Sequence, residues 1–106
     1  MYRETRKLGE LISVGPATLR DFRLLGIESV AQLAGRDANQ MYRKLARLRN
    51  DLPDRCVLDV FSAAVAQARD PRLPADQCRW WYWSRKRKAA GQARTGPQKP
   101  QRAPNR

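Results

Sequence analysis

The segment from Ser13 to Thr18 contains the residue types that suit anion binding by backbone amides. Gly15 permits backbone conformations that are closed to other residues, and Pro16 is favoured at the first position of a helix, where its missing N–H would have had no partner. The amides of Ala17 and Thr18 then have no acceptor within the helix and lie at the positive end of its dipole. A phosphate is the expected ligand of such a turn.

This turn is expected to lie between two helices. Apolar residues at helical spacing predict a first helix that begins near Glu4 and ends before Ser13. The residues of its apolar face are Leu8, Leu11 and Ile12. A second helix begins at Pro16, buries Phe22, and ends at Gly26, which suits the left-handed residue that follows a helix.

Three further helices are predicted along the chain. Ser29 followed by Gln32, and Asp37 followed by Gln40, are N-cap patterns that begin a third and a fourth helix. The fifth helix has a broad apolar stripe and must end before Pro71. The residues of this stripe are Val57, Val60, Phe61, Ala64, Val65 and Ala68. No segment alternates with period two for long enough to predict a strand, so we expect an all-α, compact five-helix domain.

The charge of the chain is unevenly distributed. The net charge is +12, from 22 basic and 10 acidic residues, and residues 85–106 contain eight of the basic residues and none of the acidic ones. This segment is poor in bulky apolar residues, so we expect a disordered basic tail over residues 85–106 after a domain over residues 1–84. The tail either contacts phosphates without reading sequence or only keeps the protein soluble.

Two other features allow two interpretations each. The fourth helix carries Arg43, Lys44, Arg47 and Arg49, which form either a solvated face or a surface that flanks a phosphate backbone. The aromatic run from Trp80 to Trp83 either closes a small core or offers a stacking platform for exposed bases.

The composition argues against several classes of protein. There is no histidine to act as a base near neutral pH and no glycine-rich phosphate motif, so we expect no catalytic residues and no cofactor. Cys56 and Cys78 lack the partners of a zinc site or a disulfide framework and are interpreted as small core residues. Asp54 is expected to sit at a helix start and Asp59 to be solvated. No signal peptide or membrane segment is visible, which favours a cytoplasmic location and no membrane partner.

The order of helix, V-G-P-A turn, helix and L-G-I-E-S-V-A-Q-L resembles the helix-hairpin-helix module of repair polymerases, ligases and nuclease subunits, over residues 11–33. In that family the turn is usually glycine, apolar residue, glycine, and its amides bind a phosphate of one DNA strand without reading bases. Ser13, Val14 and Gly15 occupy these positions, with Ser13 in place of the first glycine. The resemblance implies a packing like that of SAM domains.

A second resemblance is more specific and covers residues 8–83. The segments G-I-E-S-V-A-Q-L-A-G-R-D and D-R-C-V-L-D-V-F and the closing W-W-Y-W resemble a small bacterial family of pathogenicity-locus or mitomycin-resistance helix-hairpin-helix proteins. This resemblance implies a stand-alone five-helix domain.

Two functions follow as hypotheses. The first is sequence-nonspecific binding of DNA, duplex or single-stranded, in DNA repair or maintenance. The residues expected to contact DNA are Ser13, Val14, Gly15, Ala17, Thr18, Arg20, Arg23, Arg85, Lys86, Arg87 and Lys88. The second is a protein-interaction module without a nucleic-acid role, because helix-hairpin-helix folds share their packing with helical domains that bind proteins.

Overall fold

All regular secondary structure in the computed structural model is helical, and the structure describes residues 4–94. The five α-helices are α1 (Pro16–Leu24), α2 (Val30–Ala34), α3 (Ala38–Arg49), α4 (Arg55–Arg69) and α5 (Trp80–Arg94), with 3₁₀ turns at Leu8–Glu10 and Ala75–Cys78. The predicted all-α fold is confirmed. The five helices are not the five predicted ones, because the first predicted helix is absent and α5 was not foreseen.

Helix α4 is the centre of the fold, and it packs against α2, α3 and α5. Its predicted apolar stripe is confirmed, since Phe61 and Ala64 are fully buried and Val65 and Ala68 nearly so. The ring of Phe61 lies 5.8 Å from that of Phe22 in α1. Burial of such side chains contributes most of the stability of a small domain, so α4 forms the support on which the other helices are held.

Helices α2, α3 and α4 begin with side-chain caps, as their sequences indicate. Ser29 accepts a hydrogen bond from the amide of Gln32 (3.1 Å), and Asp37 accepts one from that of Gln40 (2.9 Å). Asp54 accepts one from the amide of Cys56, and this bond lowers the pKa of the Asp54 carboxyl group. The predicted helix-start role of Asp54 is therefore confirmed.

Helix α1 ends in a turn with the two hydrogen bonds of a Schellman motif. Gly26 has a φ of 77°, its amide bonds to the carbonyl of Arg23 (3.1 Å), and the amide of Ile27 bonds to that of Phe22 (2.8 Å). Because Ile27 is almost fully buried, the turn directs the chain back onto the core, and the predicted role of Gly26 is confirmed.

The prediction of a helix from Glu4 to the residue before Ser13 is wrong. Only Leu8–Glu10 form a helical turn, and residues 4–7 have no regular structure. The guanidinium group of Arg6 pairs with Glu4 (2.8 Å) and donates to the carbonyls of Gln67 (2.9 Å) and Ala68 (3.3 Å). These carbonyls lie in the last turn of α4 and lack partners within the helix. The segment therefore supplies hydrogen-bond donors to the carbonyl groups at the end of α4 and does not form a helix of its own.

The prediction of a disordered tail from Arg85 onward is wrong for residues 85–94, which continue helix α5. Arg87 lies in this segment and makes two hydrogen bonds of 3.0 Å to the carboxylate of Asp59 in α4. Asp59, expected to be solvated, is only 1% exposed. A buried carboxylate requires a charged partner, and the basic segment is held against α4 because it supplies one. Residues 95–106 of the predicted tail lie outside the described residues.

The aromatic run at the start of α5 divides between the interior and the surface. Tyr82 and Trp83 are half-buried, and the indole N–H of Trp83 donates to the carbonyl of Gln77 (2.8 Å). Trp80 and Trp81 are 37% and 43% exposed. Two of the four aromatic side chains are therefore partly covered by the protein, and the other two face solvent.

Candidate nucleic-acid interface

The turn before α1 owes its shape to Ser13 and not to Gly15. Ser13 has a φ of 72°, in the left-handed region that favours glycine. Gly15 is extended, with φ −113° and ψ −174°, a conformation open to any residue. The expectation that Gly15 supplies an unusual backbone conformation is therefore wrong. A Cβ atom added at Gly15 would have no atom within 4 Å, so this residue leaves the surface in front of α1 open.

The buried side chain of Gln67 holds the residue before the turn against α4. Its Oε1 accepts from the amide of Ile12 (2.9 Å), and its Nε2 donates to the carbonyl of Ile12 (2.8 Å). The same Nε2 lies 3.4 Å from the carbonyl oxygen of Cys78. Gln67 is 5% exposed, and it gives both backbone groups of Ile12 a hydrogen-bond partner.

The hydroxyl group of Ser13 joins the turn to the start of α5. It donates to the carbonyl of Cys78 (3.3 Å) and accepts from the amide of Trp80 (3.1 Å), the first residue of α5. Both contacts lie within the protein, so this hydroxyl group stabilises the fold, and the phosphate contact predicted for the backbone at Ser13 stays a prediction. Val14 packs against the core.

The first turn of α1 has no side-chain cap. The carbonyl of Gly15 accepts from the amide of Leu19 (3.0 Å), which begins the helical hydrogen bonds. The amides of Ala17 and Thr18 have no acceptor among the described residues, and we call these two groups the uncapped amides. Ala17 is exposed and Thr18 half-buried. This arrangement matches the prediction at Ala17 and Thr18 and differs from the capped starts of α2, α3 and α4.

Two predicted cations lie on the same helix as the uncapped amides. Arg20 and Arg23 of α1 are both exposed. Asp21 lies between them in sequence, and burial raises the pKa of its carboxyl group, although the charges of Arg49 and Arg20 act in the opposite direction.

The four predicted cations of the basic segment are not equivalent. Arg85 and Lys88 are exposed, whereas the ammonium group of Lys86 lies 5.1 Å from the centre of the Trp83 ring. Arg87 is paired with Asp59, and this hydrogen bonding raises the pKa of its guanidinium group. The charge of Arg87 already compensates a buried carboxylate, and its contact with DNA stays a prediction.

Sequence reasoning missed Gln67, which positions the turn. The signal available was a polar residue within the apolar stripe of α4, between Ala64 and Ala68. The two thiols are free, and burial is the largest cause that raises the pKa of each one. Cys78 is buried as predicted and Cys56 is half-buried.

The described residues contain no group of three or more His, Cys, Asp or Glu side chains placed to hold a metal ion. Within residues 4–94, none of the helices has both the length and the apolar character that a membrane span requires.

Comparison with known proteins places this helical domain in a family. The chain matches the Cdd1 family, described as Pathogenicity locus, over residues 2–89, and it belongs to that family. It is 37% identical over 87 residues to mitomycin resistance protein McrB of Streptomyces lavendulae, which covers 80% of this chain and 79% of that protein. No solved structure matches the chain. The resemblance to the pathogenicity-locus and mitomycin-resistance family is thus confirmed.

Proposed function

We propose that the protein binds DNA through its phosphates, without reading base sequence. The uncapped amides of Ala17 and Thr18 carry this proposal, because α1 alone of the four helices α1 to α4 starts without a side-chain cap. Unpaired amides at the positive end of a helix are a site for a phosphate oxygen. Arg20 and Arg23 are exposed on the same helix, and in this proposal they contact neighbouring phosphates.

The proposed contacts are all to the sugar-phosphate backbone, which positions a protein on DNA but carries no direct sequence information. The turn acts in this account as the hairpin of a helix-hairpin-helix module whose first arm is the 3₁₀ turn Leu8–Glu10. The net charge of +12 adds long-range attraction to any polyanion. In this proposal the protein acts in DNA maintenance in the cytoplasm and catalyses no reaction.

Exposed apolar side chains favour a second candidate function, which is binding of another protein. Trp80 and Trp81 are 37% and 43% exposed, and Leu52 is 73% exposed. Exposed aromatic residues are enriched at protein interfaces. The two candidates differ in one respect that is easily measured, because only the first requires the uncapped amides to be free.

Gly15→Asp tests the proposal because it blocks the site without disturbing the helix. The extended backbone at Gly15 suits an N-cap residue, and an aspartate there would accept from the amides of Ala17 or Thr18. We expect helical content to be unchanged and stability to rise by a few tenths of a kcal/mol. The affinity for a 20-base-pair duplex should fall about 10-fold, a loss of about 1.4 kcal/mol, as measured by fluorescence anisotropy at fixed salt.

Two matched variants distinguish the effect of capping the amides from the effect of the added negative charge. Gly15→Asn caps the same amides without adding charge, and we expect it to lose most of the affinity that Gly15→Asp loses. Ala31→Asp adds the same charge at an exposed position of α2 and should lower affinity much less. Equal affinity for the duplex in Gly15→Asp, Ala31→Asp and the unaltered protein would show that the uncapped amides do not bind DNA.

A further inference from the structure

A groove on the side of α3 is lined by four cations. Its volume is about 310 Å³, at the lower end of the range of about 300 to 1,000 Å³ that is usual for ligand pockets. The side chains that line it are Leu25, Arg36, Asp37, Gln40, Met41, Arg43, Lys44 and Arg47. Leu25 and Met41 are buried and form an apolar floor. The cations therefore surround a depression and do not lie on a flat surface.

The cations of this groove have no acidic partners. None of Arg36, Arg43, Lys44 and Arg47 forms an ion pair within residues 4–94, and α3 contains no acidic residue. The single carboxylate in the groove, that of Asp37, already accepts from the amide of Gln40 as the cap of α3. Like charges three and four residues apart destabilise a helix slightly, and an anion seated among them would remove that repulsion.

One wall of the groove is held in place by α4. The guanidinium group of Arg69 donates to the carbonyls of Ala34 (2.9 Å) and Arg36 (2.8 Å). These two bonds fix the loop between α2 and α3, which carries Arg36. The remaining three cations lie on one face of α3, at successive helical spacings. Helix α3 itself packs against α4, so α4 helps to hold the backbone that carries all four charges.

We propose that this groove binds a second stretch of phosphodiester backbone of the same DNA. The inference rests on the proposed function and adds a site that the turn does not contain. Leu25 follows the last residue of α1, and nine residues of helix separate it from Pro16 by about 14 Å. A single phosphate cannot reach both places, but about four base-pair steps of duplex span that distance, since each step rises about 3.4 Å. A guanidinium group can donate to two oxygens of one phosphate at once, so a groove with three arginines favours a phosphate ligand.

The test compares two double variants that remove equal charge. Arg43→Gln with Arg47→Gln alters the groove, and Arg55→Gln with Arg72→Gln alters exposed positions outside it. For a 20-base-pair duplex, we expect the groove variant to bind about 10-fold more weakly at 0.15 M salt. Its slope of log affinity against log salt should be shallower by about 1.8, since each phosphate contact contributes about 0.9. The control variant should retain most of the affinity and the slope.

Further outcomes separate this inference from the proposed function. If Gly15→Asp weakens binding and the two double variants behave alike, the groove is not a DNA site, although the proposed function stands. If the unaltered protein does not bind the duplex, both fail. The last measurement uses tripolyphosphate as a small ligand. A groove variant that no longer binds tripolyphosphate but keeps its affinity for the duplex would show that the groove is a small-ligand site, and this result would overturn the inference.

Discussion

Arg87→Gln is expected to lower the free energy of unfolding by about 3 kcal/mol, because it leaves the carboxylate of Asp59 buried without a countercharge. The Asp59 side chain is 2% exposed, whereas the Arg87 side chain is 29% exposed, so we take the lower end of the usual range. For a domain of this size the melting temperature should fall by roughly 12 to 24 °C. Urea unfolding followed by circular dichroism measures the change.

Two controls identify the ion pair as the cause. Arg85→Gln removes the same charge from an exposed position of α5 and should change stability by less than about 0.5 kcal/mol. The double variant Asp59→Asn with Arg87→Gln removes both charges, and we expect it to be more stable than Arg87→Gln alone. If Arg87→Gln were no less stable than Arg85→Gln, the pair would not hold α5 to α4.

Gln67→Leu should lower the free energy of unfolding by about 2 kcal/mol, since it deprives the amide and the carbonyl of Ile12 of their partners. Leucine fills most of the same volume, so the loss reports hydrogen bonds and not a cavity. We also expect DNA affinity to fall about 10-fold under conditions where the variant is folded, because the turn at Ser13 loses its attachment to α4.

The control for this prediction is Gln77→Leu. The side chain of Gln77 is half-buried and makes no hydrogen bond within the described part of the chain, so its replacement should change neither stability nor affinity appreciably. An affinity for DNA in Gln67→Leu equal to that of the unaltered protein, measured on folded samples, would show that the position of the turn does not matter for binding.

The parts of the fold that were predictable depend on local signals. The apolar stripe of α4 and the caps at Ser29 and Asp37 involve residues within one or two helical turns, and periodicity reveals them. The Schellman turn at Gly26 is equally local. Family membership was predictable because the segments that resemble the family lie in these same helices.

The features that could not be predicted depend on contacts between distant segments. Asp59 and Arg87 are 28 residues apart, and no local pattern indicates that a basic segment will supply the partner of a buried carboxylate. Arg6 reaches α4 across 61 residues, which replaces the expected first helix. The uncapped amides were predictable because they follow from the local sequence Gly15-Pro16, even though the conformation assigned to Gly15 was wrong.

The most direct test of the account is to follow the backbone amide signals of the unaltered protein by ¹⁵N NMR during titration with a 20-base-pair duplex. Because a hydrogen bond to phosphate acts on the amide itself, we predict that the signals of Ala17 and Thr18 are among those that shift most. Signals of Ala17 and Thr18 that stay in place while others shift would contradict the claim that these two groups bind the backbone.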